Sequence, residues 1–276
     1  MFDTHAHLHF KAYDADREAV FTRTLETGMS LVLVGTQANT SQLAIDGAEK
    51  YERVYATVGI HPIHLLDRMV TEEEDSFHTK AEVFDRALYS RMIESSAKVV
   101  AIGEVGLDYY WIKELSQDDQ LAKKDQQKQV FIQFYELAKS YKLPLVIHCR
   151  DAYADLLMLL EELVADEPAR TRGVIHSFCG NYRQAIRFRE LGFYIGLNGI
   201  ITYSESYNKV ITNVGLDGLV LETDCPYLTP NPLDRKSRNE PRNVSYVAEK
   251  IGKVLGVSLE AVIEKTDGNA KKLFGV

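Results

Sequence analysis

The chain has 276 residues, with 32 Lys+Arg against 40 Asp+Glu, a formal charge of −8 and 45% hydrophobic residues. That balance belongs to a globular protein and excludes a disordered, collagen-like or low-complexity chain. The negative charge argues against a protein that coats nucleic acid, since such binding rests on basic groups displacing phosphate counterions.

Eight short apolar runs, rich in β-branched residues, lie at 1–4, 30–35, 54–59, 99–103, 145–147, 173–175, 193–196 and 219–221. They hardly alternate, which fits parallel strands buried on both faces. The gaps carry helical periodicity. In 119–141 one stripe holds Val130, Phe131, Phe134, Leu137, Ala138 and Tyr141. In 151–164 it holds Ala152, Leu156, Leu159, Leu160 and Leu163, with Asp151 placed as the helix cap. Near the end, Asn243 is placed to cap a helix that buries Val244, Val247, Ala248 and Ile251. The polar stretch 66–80, with its acidic run, reads as a solvated loop or helix start. Alternating strands and helices predict an α/β chain, a (β/α)8 TIM barrel that takes 1–276 as one domain. Such barrels need about 250 residues.

Three cysteines, Cys149, Cys179 and Cys225, contain no CxxC and build neither a disulfide framework nor a zinc ribbon. A reducing compartment is expected. The N-terminus lacks a basic segment followed by an apolar one, and no apolar run approaches the roughly 20 residues of a membrane helix. The expected location is cytoplasmic, with no membrane and no obligate protein partner.

The residues just past each apolar run are more informative. The runs lead into His5-Ala6-His7, His61, Glu104, His148, His176 and Glu222-Thr223-Asp224. In a barrel all strand C-termini open on one face, so these side chains converge there. His5 and His7 are two apart and share a face of the first strand. Four imidazoles (His5, His7, His148, His176) and two carboxylates (Glu104, Asp224) exceed one tetrahedral site of three protein ligands and a water. Two divalent ions with Glu104 as the bridge is the economical reading.

These blocks, Asp3-Thr4-His5-Ala6-His7, Gly59-Ile60-His61-Pro62, Gly103 through Tyr110, His148-Cys149-Arg150, His176 through Gly180, Leu221 through Leu228 and Arg238-Asn239-Glu240-Pro241, resemble those of the TatD-family metal-dependent deoxyribonucleases. The resemblance spans nearly the whole chain. It implies an amidohydrolase-like barrel and a divalent-metal nuclease acting on DNA. Carried over position by position, the family's ligands fall on His5, His7, Glu104, His148, His176 and Asp224, the six residues chosen from the strand ends.

The expected function is therefore hydrolysis of DNA phosphodiester bonds by an exonuclease acting on single strands or strand ends. Asp224 serves as ligand and general base, and Glu104 as the bridge. Zn²⁺, Mn²⁺ or Fe²⁺ suits imidazole better than Mg²⁺ does, although Mg²⁺ remains a working ion. His61, Arg150, Glu222, Tyr109 and Arg238 are expected to contact substrate or orient a ligand. Tyr109, Tyr110 and Trp111 are candidates for stacking a base, and Arg235, Lys236, Arg238 and Arg242 for tracking a phosphate backbone. Two alternatives use the same residues: hydrolysis of a small amide, lactone or phosphoester, and a metal-binding scaffold without turnover. Net charge describes the whole surface, whereas substrate meets one metal-charged rim, so −8 does not oppose a nucleic-acid substrate.

Overall fold

The computed structural model describes residues 1–72, 75–165 and 172–276. Each of the eight apolar runs becomes a parallel strand: β1 (Phe2–Ala6), β2 (Ser30–Val34), β3 (Val54–Val58), β6 (Val99–Asp108), β7 (Leu145–Arg150), β8 (Gly173–Ile175), β9 (Phe193–Leu197) and β10 (Leu219–Leu221). They hydrogen-bond in chain order, β1-β2-β3-β6-β7-β8-β9-β10. A bridge between Ala6 and Cys225 draws the first and last strands together into a nearly closed barrel. Along that seam Thr4 Oγ1 donates to the Leu221 carbonyl (2.9 Å), and Asp3 accepts from the Thr223 N–H (2.9 Å) and hydroxyl (2.6 Å). Full burial pushes the Asp3 carboxyl up to about 8.

Helices α1 (Arg17–Leu25), α2 (Ala38–Ala48), α3 (Arg86–Ser95), α4 (Gln117–Tyr141), α5 (Tyr153–Val164), α6 (Tyr182–Glu190), α7 (Asn208–Val214), α8 (Val244–Leu255) and α9 (Leu259–Phe274) cover the outside. Two apolar layers result. Leu31, Leu33, Ile147, Ile175 and Leu221 point outward against the helices. Val32, Val146, Val174, Tyr194 and Val220 fill the barrel, and Phe2, Leu273 and Phe274 plug its lower end. Strand side chains alternate, so two residues beyond Val146, Val174 and Val220 come His148, His176 and Glu222, on the same inward face. Apolar filling below thus becomes polar chemistry at the mouth.

Four expectations are corrected. The fourth run does not stop at Gly103: β6 continues to Asp108, because a register shift between Ile102 and Val105 lets it stay paired with β7 as far as Arg150. Glu104 therefore sits within the strand, at its irregularity. Within the stretch 66–80, β4 (Arg68–Glu72) pairs antiparallel with β5 (Asp75–Thr79). Two β-compatible runs satisfy each other's backbone groups, and the acidic run lies at their junction, where residues 73 and 74 fall outside the described residues. Asp151 does not cap α5. It adopts φ +57 and pairs with Lys113 at 2.6 Å, while Ala152 occupies the cap position without a side-chain bond. Asn243 does precede α8, but its amide donates to Asn239 instead of accepting from the first turn. Among the described residues, no helix is long and apolar enough to cross a membrane.

Candidate metal centre

The strand exits bring six predicted residues to one point, centred on Glu104. Its Oε2 lies 3.4 Å from His5 Nε2. Its Oε1 lies 3.0 Å from His148 Nδ1, 3.3 Å from His176 Nε2 and 3.6 Å from His61 Nε2. The Nε2 atoms of His5 and His7 approach to 3.1 Å, and Asp224 Oδ1 stands 3.6 Å and 3.4 Å from them. The rings of His5 and His176 stack at 3.7 Å. Donor atoms of His5, His176 and Asp224, of His5, His7 and Glu104, and of His61, Glu104 and His148 each lie within 4.8 Å of one another.

Local backbone explains the convergence. Asp224 adopts φ +56, a left-handed conformation found where the surrounding structure over-determines a site. Its N–H donates to the His5 carbonyl (2.9 Å), and the His7 N–H donates to Cys225 (2.8 Å), so two strand ends hold each other. Gly106, at φ +153, leaves room for the His148 backbone to cross close by. Gly196 has no side chain where a Cβ would overlap Glu222 Oε2.

Behind the facing atoms stand acceptors. His7 Nδ1 lies 2.8 Å from the Val34 carbonyl, His148 Nε2 3.2 Å from Asp108 Oδ2, and His176 Nδ1 3.2 Å from Glu222 Oε1. Acceptors in this position set the tautomer and aim of ligand histidines. Glu222, fully buried, also accepts from the Ser177 N–H (2.5 Å) and faces the Asn198 amide at 3.4 Å.

Charge mirrors the same map. Burial works to raise the Glu104 carboxyl, but the imidazoles of His176, His61 and His5 outweigh it and hold the group well below the usual carboxylate range. Asp224 is lowered too, burial being outweighed by its bond to His7 and by His176 and His5. Burial opposes a charge on His148, yet Asp108 and Glu104 raise it to about 9. His176 is raised well above its ordinary value against burial, by Glu222 and Glu104. Burial and the neighbouring His148 push His61 down to about 3. The centre thus holds ionised carboxylates beside two imidazoles, His148 and His176, on which a positive charge is favoured, and two, His5 and His61, on which it is not. The buried Nδ1 of His5 has no hydrogen-bond partner, so that ring is held through its Nε2 and its stacking on His176. The donor set fits ions that accept imidazole nitrogen.

The outer predicted residues fare differently. Arg150 lies over the Tyr110 ring at 3.7 Å, with Trp111 at 5.6 Å, and Tyr110 is 44% exposed. Trp111 also meets Arg68 of β4, at 4.9 Å from its ring and 2.6 Å from its carbonyl. Tyr109 is corrected: it is buried, and its hydroxyl donates to Asp155 (2.8 Å), so it packs beneath the rim instead of facing substrate. Arg238 is also corrected. Both its terminal nitrogens donate to Asp16 at 2.7 Å, and one also reaches the Ala12 carbonyl, which makes it a brace between loops. Arg235 lies over Tyr203, and Arg242 pairs with Glu240 at 3.4 Å.

Asp108 was not assigned a role from the sequence. Its signal was present, because Glu104, Gly106 and Asp108 fall two apart on one strand face. Asn198, buried and bonded to Ser177 at 2.8 Å, left no such signal.

Comparison with known proteins shows the family. Residues 2–275 match the family described as TatD related DNase. A metal-dependent hydrolase of Bacillus subtilis, YabD, is 37% identical over 279 residues, covering 100% of this chain and 99% of that protein. A protein of Citrobacter koseri named 3'-5' ssDNA/RNA exonuclease TatD is 30% identical over 283 residues, covering 100% and 99%. The crystal structure of the TatD homologue YjjV from Escherichia coli superposes with a TM-score of 0.81 at 29% identity, covering 100% of this chain and 98% of that one.

Proposed function

We propose that this chain, which belongs to the TatD family of metal-dependent hydrolases, cleaves DNA phosphodiester bonds as an exonuclease with two divalent ions at its strand exits. The disposition of Glu104 carries this reading. One of its oxygens faces the His5 and His7 pair and the other faces His148 and His176, which is what a carboxylate shared by two ions requires. In this reading the ligands are His5, His7, Glu104, His148, His176 and Asp224.

Divalent ions held there would lower the pKa of water toward neutrality and offset the charge on phosphoryl oxygens. The chain supplies the rest. Asp224, kept ionised by its imidazole neighbours, accepts the proton of the attacking water. Asp108 and Glu222 hold His148 and His176 in orientation. Arg150 meets phosphate as a planar fork. Tyr110 and Trp111, with Arg150 and Arg68 beside them, make a rim that combines base stacking with cationic contact, as single-strand binding demands. The names of relatives described as ssDNA/RNA exonucleases support the same substrate class.

The test is metal-loaded protein presented with end-labelled single-stranded DNA, duplex DNA and RNA, and with a panel of small esters, lactones and amides. Release of mononucleotides from one DNA end is expected. Turnover confined to the small molecules would overturn the nuclease reading.

A further inference from the structure

His61 stands among the histidines around Glu104, but its hydrogen bonding separates it from them. His7 and His148 each hydrogen-bond one ring nitrogen to an acceptor behind and turn the other to the cluster. An acceptor behind the ring keeps a proton there and leaves the front nitrogen's lone pair for a cation. His61 has the reverse arrangement. The Ile63 backbone N–H donates to its Nδ1 over 3.0 Å. A backbone N–H can only donate, so Nδ1 carries the lone pair and the ring proton sits on Nε2. That Nε2–H faces the cluster, 3.6 Å from Glu104 Oε1, a separation too long for a hydrogen bond.

The backbone fixes this orientation. The His61 N–H donates to the Thr36 carbonyl (2.8 Å), Pro62 opens the turn Pro62–Leu65, and the His64 N–H returns to the His61 carbonyl (2.9 Å). The ring stands edge-on to His148, with centroids 4.2 Å apart. Exchanging the two ring nitrogens would break the bond from Ile63.

A metal ligand needs a lone pair, and His61 offers a proton instead. We propose that His61 is a catalytic hydrogen-bond donor, not a metal ligand, and that its Nε2–H holds a non-bridging phosphoryl oxygen of the substrate beside Glu104. This inference rests on the phosphodiester reading above. It also explains why a seventh candidate ligand sits at a centre whose other six already satisfy two ions.

The experiment compares wild type, His61→Ala and His61→Gln. Three readouts are taken: bound metal by elemental analysis, turnover of bis(p-nitrophenyl) phosphate, and the histidine tautomer by ¹⁵N NMR. The expected result is unchanged metal content in both variants and an Nε2–H tautomer at His61 in the metal-loaded protein. The kcat of His61→Ala should fall about 10- to 100-fold, the worth of a hydrogen bond to a charged oxygen. His61→Gln, whose amide N–H reaches a similar place, should recover most of that loss. Loss of metal from His61→Gln, a deprotonated Nε2, or full kcat in His61→Ala would each overturn the proposal while leaving the nuclease reading intact. Wild-type protein that hydrolyses no phosphodiester would overturn both.

Discussion

Replacing Asp108 with Asn keeps the side chain's shape and removes the charge behind His148. The Asn oxygen can still accept from the Tyr110 N–H, a bond Asp108 makes at 2.9 Å, so the turn after β6 survives. His148 is mostly buried and its pKa rises to about 9, with Asp108 and Glu104 overcoming the cost of burial. Because the folded value exceeds the unfolded one of about 6.5, the stabilisation is complete below pH 6.5. It is lost as pH rises through about 9. The whole shift corresponds to about 3 kcal/mol in the metal-free protein, and Asp108 is one of two carboxylates behind it. Asp108→Asn should therefore cost roughly 1–2 kcal/mol at pH 6, about 2–8 °C in Tm for a chain of this size, and little at pH 9.5. A divalent ion at Nδ1 would displace one proton and leave Nε2–H on Asp108, so metal affinity should fall about 10- to 100-fold. Differential scanning fluorimetry of metal-free protein at the two pH values, with a metal titration at pH 7.5, measures both effects. An equal loss of Tm at pH 6 and 9.5, or an unchanged metal affinity, would show that the charge on Asp108 does not act through His148.

Three further outcomes are expected. Asp224→Asn should lower kcat at least 100-fold with little change in Tm, as steady-state assays and thermal melts would show. Unimpaired turnover would remove Asp224 as the base. Arg150→Ala should raise KM for oligonucleotides and flatten the log–log salt dependence of their binding by about one, leaving bis(p-nitrophenyl) phosphate turnover nearly unchanged. An unaltered salt slope would take Arg150 off the phosphate path. Gly196→Ala puts a methyl group into Glu222, whose Oε1 holds the Ser177 N–H. It should cost about 1–3 kcal/mol in a chemical denaturation curve and weaken metal binding, and a neutral result would mean that Glu222 has room to move.

Much of the barrel was legible because buried parallel strands must be short and apolar throughout, and eight such runs separated by helical periodicity leave few architectures. The β4–β5 pair escaped notice because charge at its junction hid two β-compatible runs. The convergence of these side chains was legible for a related reason: imidazoles and carboxylates immediately after apolar strands have nowhere to converge except one rim.

Residue identity and spacing thus determined which chemistry gathers at the mouth. The tertiary structure decided what each group does there. Tyr109 and Tyr110 are neighbours in sequence, but one donates to Asp155 under the rim and the other lies open beneath Arg150. Arg238 looks like a free cation until Asp16, 222 residues away, takes both of its terminal nitrogens. His61 and His148 are both strand-end histidines, yet one ring accepts from the Ile63 N–H and the other turns a nitrogen to Asp108. A local pattern specifies which face a side chain occupies. Its hydrogen-bond partner, which sets protonation and role, comes from strand register and loop closure across distant parts of the chain.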